Sequence, residues 1–319
     1  MGEFQSIGQW WMWASFGLFV IAMLAIDILA LDRKGAHKVS TKEALTWSLI
    51  WFTLALLFGV ALWAWLNQTL GRAIADAKTM EYLTGYLLEK TLAIDNIFVF
   101  VMLFSYFAVP IQYQKRVLVY GVLGAIILRA LMILVGAWLI AEFHWILYLF
   151  GAFLLVTGIK MFIFADQEPN LANNRLLIWI RSHMRITDDY HGDKFWIVKK
   201  GVLWFTPMFL VLILVEISDV IFAMDSIPAI FAITSDPFIV FTSNIFAIMG
   251  LRALYFLLAD MASRFHLLKY GLAIILMFVG TKMLIVEWLK IPIAVSLSVV
   301  IAVLGISILL SLKATRSIK

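Results

Sequence analysis

An all-α, polytopic membrane fold with about nine transmembrane helices is what this chain predicts. Three observations carry it: an extreme apolar composition, a regular succession of long apolar stretches, and an internal repeat. Of 319 residues, 64% are hydrophobic and only 14% charged, and the mean hydropathy is +0.98. Those proportions fall outside the range of soluble globular domains and make the bilayer the solvent for most of the surface. The chain has no cysteine, which excludes disulfides, thiolate metal sites and thiol chemistry.

A helix needs roughly 20 apolar residues to cross about 30 Å of hydrocarbon. Such stretches fall near residues 9–31, 45–67, 82–107, 117–140, 145–164, 202–232, 237–258, 268–287 and 291–312. The first is expected to remain as a span rather than be cleaved as a signal peptide. Residues 1–8 carry Glu3 and no Lys or Arg, and the basic residues Arg33, Lys34 and Lys38 come after the apolar stretch. The loops alternate in charge. Segments 32–44, 108–116, 165–201, 259–267 and the tail after 312 hold sixteen Lys and Arg, whereas the opposite side holds Arg72, Lys78 and Lys290. The positive-inside bias therefore places the N-terminus outside and the C-terminus in the cytoplasm. It also accounts for a pI near 9.3 without a nucleic-acid partner, which is rejected.

The third span contains Glu89-x5-Asp95-Asn96-Ile97 and the sixth contains Asp219-x5-Asp225-Ser226-Ile227. The correspondence continues in order: Arg129-Ala-Leu with Arg252-Ala-Leu, Phe143-His144 with Phe265-His266, Tyr148 with Tyr270, and Gly158-Ile-Lys-Met with Gly280-Thr-Lys-Met. Spans three to five and six to eight thus read as a duplicated unit. A unit of three spans re-enters from the opposite side, so the repeat is inverted, as in many secondary transporters. The chain divides into two peripheral spans (1–80), repeat one (81–164), a cytoplasmic loop (165–201), repeat two (202–288), and a last span with its tail (289–319). Within the loop, the run from Arg175 to Ile186 suits either the membrane surface or a solvated connector.

Five acids lie in mid-membrane: Glu89, Asp95, Glu216, Asp219 and Asp225. A central Asp costs roughly 2.5–3.5 kcal/mol on insertion scales, so five unpaired acids would cost on the order of 10–17 kcal/mol. Either they pair with Lys90, Arg129 and Arg252 as glue between helices, or they hold a cation. With all eight ionised the cluster carries −2, which one divalent cation or two protons would offset. Together with Asn96, Ser226, Ser243, Asn244 and backbone carbonyls they form an oxygen-rich set suited to Mg²⁺, Ca²⁺ or Mn²⁺. Zn²⁺ and copper would prefer imidazole or sulfur.

Residues six apart on a straight helix lie about 120° apart, so a local unwinding is expected to bring each acidic pair together. Pro228 favours that in the sixth span. His144 and His266 are expected at the interface, Asp27 and Asp32 near headgroups or Arg33, and Lys160 and Lys282 snorkelling from helix ends.

These motifs, with Thr242-Ser-Asn244-Ile-Phe-Ala-Ile-Met-Gly-Leu-Arg252-Ala-Leu-Tyr, resemble the TerC family of bacterial inner-membrane proteins, and within it the Alx-type branch. The resemblance runs along most of the chain. It implies export of manganese, and so selects Mn²⁺ among the hard cations, with Glu89, Asp95, Asn96, Glu216, Asp219 and Asp225 as the residues carried over. Glu216 matches Tyr86 in the other half, so the half-sites are not equivalent.

The leading expectation is a manganese exporter working by alternating access. Asp95 and Asp225 bind the ion, and protonation of a neighbouring carboxylate drives release. The alternative is a non-transporting scaffold that delivers metal or holds a membrane complex together. Enzymatic activity is not expected: paired aspartates alone are weak grounds for acid–base chemistry, and no Gly-x-Gly-Asp occurs. No organic cofactor is expected.

Overall fold

A computed structural model describes residues 6–34, 40–143, 145–163, 179–180, 182–258, 267–289 and 291–317. Among these, ten helices follow in order: α1 (Trp10–Lys34), α2 (Thr41–Thr69), α3 (Arg72–Tyr106), α4 (Ile111–Glu142), α5 (Ile146–Ile163), α6 (Pro207–Phe231), α7 (Pro237–Met249), α8 (Leu251–Leu258), α9 (Leu268–Leu284) and α10 (Ile293–Ser317). Two strands, β1 (Trp196–Lys199) and β2 (Val202–Phe205), form a short antiparallel hairpin before α6. The chain is an all-α polytopic membrane protein apart from that hairpin.

Among the described residues, six helical segments are long and apolar enough to span a membrane: Thr41–Thr69, Ile111–Ile140, Ile146–Ile163, Pro207–Phe231, Pro237–Leu258 and Ala294–Ser311. Of the other expected spans, α3 is 35 residues long but carries Glu89, Lys90 and Asp95 in its middle, and α9 has 17 residues. Leu, Ile, Val and Trp side chains stand exposed along α2, α4, α5 and α10, as a lipid-facing surface requires.

Local chemistry sets the helix starts. At α2, Ser40 accepts a hydrogen bond from the Glu43 backbone N–H at 3.2 Å, within a Ser-x-x-Glu sequence. At α7, Asp236 caps Phe238 N–H and Pro237 takes the first turn, where its missing donor costs nothing. The sixth span begins at Pro207 with Thr206 as its cap. Residues 202–205, expected to be helical, instead form β2. This is a correction with a visible cause: Lys200 and Gly201 both adopt positive φ (53° and 76°), the two-residue turn that closes a hairpin.

Neither α3 nor α6 unwinds. Both run unbroken through their acidic motifs, and Pro228 lies in the last turn of α6. The expected unwinding is therefore corrected. The interruption falls in the seventh span, at Gly250 between α7 and α8. There Lys90 of α3 donates to the Ala247 carbonyl at 3.3 Å, satisfying an acceptor the helix break frees. Gly250 leaves room for that ammonium, since a Cβ would meet Lys90 Nζ.

The core centres on α3, which packs against α2, α6 and α7, while α6 packs along α4. Helices α5 and α9 cross backbone to backbone. A Cβ on Gly280 would stand 2.7 Å from Leu155 N and 2.8 Å from Gly151 O, and one on Gly158 would stand 2.9 Å from Ala273 O. Contacts of 151 with 280 and of 158 with 273 make the two helices antiparallel. Lys282 does not snorkel: it is buried and donates to Ser296 Oγ of α10 at 3.0 Å. That corrects the expectation drawn from its place near a helix end, whereas Lys160 is exposed as expected.

Candidate functional site

Arg129 on α4 is the organising residue. Its side chain is 1% exposed and meets three other helices. Nε and Nη2 donate to the two oxygens of Asp219 on α6, at 3.2 and 3.0 Å. Nη1 donates to Asn244 Oδ1 of α7 at 2.8 Å and to Ser226 Oγ of α6 at 3.3 Å, and it is ion-paired with Glu89 Oε1 of α3. Asn96 Nδ2 on α3 adds a 3.2 Å hydrogen bond to Asp219 Oδ1. A planar guanidinium with five donors fits this fan of acceptors, which a lysine could not match.

Several buried polar atoms beside this cluster find no hydrogen-bond partner among the described residues: Glu89 Oε2, Asn96 Oδ1, Asn244 Nδ2 and Glu216 Oε2. Glu216 precedes Asp219 by three residues on α6, and its carboxylate lies against Gly124 of α4, where any Cβ would collide with it. Tyr86, its repeat counterpart, is fully buried, and its hydroxyl finds no partner among the described residues.

The predicted residues thus separate. Glu89, Asn96, Asp219, Ser226, Asn244 and Arg129 come together, with Glu216 beside them. Asp225 lies apart, on the face of α6 towards α5, with its carboxylate beside the Thr157 hydroxyl. The straight α6 accounts for this, because six residues rotate the side chain by about 120°. Lys90 donates to the Ala247 carbonyl of α7, and Arg252 is buried on α8. Asp95 lies on α3, but its side chain is outside the described residues, as are His144, His266 and the side chains of Asp27 and Asp32. Within the 175–186 run, residues 175–178 and 181 also lie outside them. Among the described residues no three His, Asp or Glu side chains are grouped to hold a metal.

A second polar cluster had no signal in the repeat. Glu81 on α3 is ion-paired with Lys78 at 2.9 Å and accepts from Thr234 Oγ1 in the α6–α7 turn. In the same turn Asp236 accepts from Ser6 Oγ and Ile7 N–H at 2.9 and 2.8 Å. Turn residues and a lone Glu in the third turn of α3 carry no periodic pattern, so only the fold reveals their meeting.

A family model described as the integral membrane protein TerC family matches residues 74–319. Proteins named Alx, each a candidate membrane-bound redox modulator by description, are 57% identical in Shigella flexneri and in Escherichia coli K12. The alignments cover 96% of this chain and 96% and 95% of theirs. An uncharacterized membrane protein of Myxococcus xanthus, STKORF319, is 48% identical over 99% of this chain and 96% of its own. No solved structure matches the chain.

Proposed function

Because the chain belongs to the TerC family of integral membrane proteins, we propose that it exports a divalent metal cation, Mn²⁺ foremost, in exchange for protons across a bacterial inner membrane. The observation that carries this is the set of buried oxygens that find no donor among the described residues, Glu89 Oε2, Asn96 Oδ1 and Glu216 Oε2, around a carboxylate pair that a single arginine joins. If Glu89, Asp219 and Glu216 are ionised, the one guanidinium, which joins the first two, offsets one of three negative charges and the cluster carries −2. A hard divalent cation matches both that charge and an all-oxygen donor set.

In this reading Arg129 holds Glu89 and Asp219 while the carrier is empty, and the arriving ion competes for the same oxygens. Asp225 supplies a carboxylate further along α6, where protonation favours release. Alternating access rests on the inverted repeat, which the helix packing supports. Moving 122 residues along the chain takes Gly151 to Ala273 and Gly158 to Gly280. The contact of 151 with 280 and that of 158 with 273 therefore exchange with one another, as a pseudo-two-fold axis between α5 and α9 requires. Likewise α3 packing along α7 corresponds to α6 packing along α4.

The test is Mn²⁺ flux in proteoliposomes. Glu89→Gln and Asp219→Asn should each lower flux at least tenfold while the protein still elutes as the parent does. Parental flux in both variants would remove the site assignment. One observation favours a second reading, a non-transporting metal-delivery scaffold: Arg129 already partners two of the acids. That reading predicts Mn²⁺ binding without flux. The redox description of the relatives fits either one only through metal supply, since a chain without cysteine has no thiol–disulfide chemistry.

A further inference from the structure

We propose that the β1–β2 hairpin is a lipid-docking wedge. The side chains of Trp196, Val198 and Leu203 lie in the boundary between headgroups and acyl chains, and Lys199 and Lys200 at the tip contact anionic lipid phosphates.

The hairpin register pairs Trp196 with Phe205 and Val198 with Leu203, so these four side chains share one face. Three of them are open: Trp196 is 56% exposed, Val198 70% and Leu203 48%. A hairpin with one face in water normally turns polar side chains outward. Here the outward face is apolar, and on the opposite face Ile197 and Trp204 are half-buried while Lys199 and Val202, nearer the tip, are exposed. The base is firmly seated. Phe195 is buried against the Tyr120 ring (5.2 Å between centroids) and under the Arg116 guanidinium (5.6 Å). Thr206 donates to the Lys194 carbonyl at 2.6 Å and, through its N–H, to the Phe195 carbonyl at 2.9 Å. The exposure is therefore a property of a fixed element.

Placement selects lipid as the occupant. Strand β2 runs through Thr206 into α6, a membrane span, and the Phe205 and Phe209 rings stack across the junction at 4.5 Å. A four-residue strand reaches about 13 Å, so the tip cannot stray far from the interfacial layer. Among the described acids of the preceding loop, Asp193 is paired with Arg116, and Asp188 and Asp189 precede the strands. Tryptophan and lysine stems are the side chains that settle at this depth, and paired lysines favour an anionic surface.

The absence of native cysteine makes the test direct. Val198→Cys carries a nitroxide label, and Asp188→Cys, exposed in the loop, serves as the aqueous control. Both are reconstituted in phosphatidylcholine vesicles with and without phosphatidylglycerol. With phosphatidylglycerol present, the label at 198 should collide with oxygen in preference to a water-soluble nickel chelate, and the label at 188 should do the reverse. Lys199→Glu with Lys200→Glu should move the label at 198 towards the aqueous value. A label at 198 that reads as aqueous in every vesicle overturns the wedge, and so does one shielded from both agents, as a protein partner would leave it. Membrane contact that ignores both phosphatidylglycerol and the lysine changes overturns the anionic-headgroup assignment.

Discussion

Arg129 shows how a membrane interior tolerates charge. The guanidinium is desolvated, yet its contacts with Asp219, Glu89, Asn244 and Ser226 satisfy it from three neighbouring helices. Removing one member of a buried ion pair costs about 3–5 kcal/mol, because the partner charge is left uncompensated. Arg129→Gln should therefore lower the thermal midpoint in detergent clearly, and Arg129→Lys should lower it less. Combining Arg129→Gln with Asp219→Asn should recover part of the loss, since coupled residues are not additive. A double variant as unstable as the sum of its parts would show that the pair is not what holds α4 to α6. The sequence named Arg129 only as a counter-charge. Its ligands Ser226 and Asn244 were legible as polar residues near the acids, but that they converge on one guanidinium is a matter of helix rotation that no motif records. The separation of Asp225 from Asp219 was legible in helical geometry, and the unwinding invoked to reunite them did not occur.

At the scale of the element, small residues fix how closely helices approach, as is common where lipid rather than water surrounds the contact. Gly280 and Gly305 make the point with one substitution of opposite sign. A methyl at Gly280 meets the backbone of α5, which cannot give way, whereas at Gly305 on α10 it meets nothing within 4 Å. Gly280→Ala should destabilise by about 1–3 kcal/mol through overpacking. Gly305→Ala should be neutral or stabilise by about 0.5–1 kcal/mol through helix propensity. Thermal unfolding in one detergent compares the two. Equal effects would mean that α5 and α9 are not in backbone contact. The apolar helices themselves were readable from run length, because hydrocarbon demands long unbroken stretches. The hairpin was not: four-residue strands leave no periodic trace, and Val202–Phe205 reads as the start of the span that follows. Lys282 misled for a related reason, since its partner Ser296 lies beyond a turn whose geometry the sequence does not contain.

For the whole molecule, the decisive question is whether the two halves are inverted and which side each faces. In the antiparallel crossing of α5 and α9, Trp145, just before α5, and Trp288, just after α9, lie at the same end of the pair. Both are well exposed, at 61% and 85%. A repeat inserted twice in the same orientation would instead put the start of α5 level with the start of α9. The loop-charge asymmetry, sixteen basic residues against three, further predicts the Trp145 and Trp288 end outside and Asp188 in the cytoplasm. In a chain without cysteine, Trp145→Cys, Trp288→Cys and Asp188→Cys can each be probed with a membrane-impermeant maleimide on intact cells and again after permeabilisation. The first two should label in intact cells and the third only after permeabilisation. Labelling of 145 and 288 from opposite sides would refute the inversion, and with it the rocking of one half against the other. Both labelling only after permeabilisation, with 188 open in intact cells, would keep the inversion and reverse the orientation, while the direction of exchange would still follow the proton gradient.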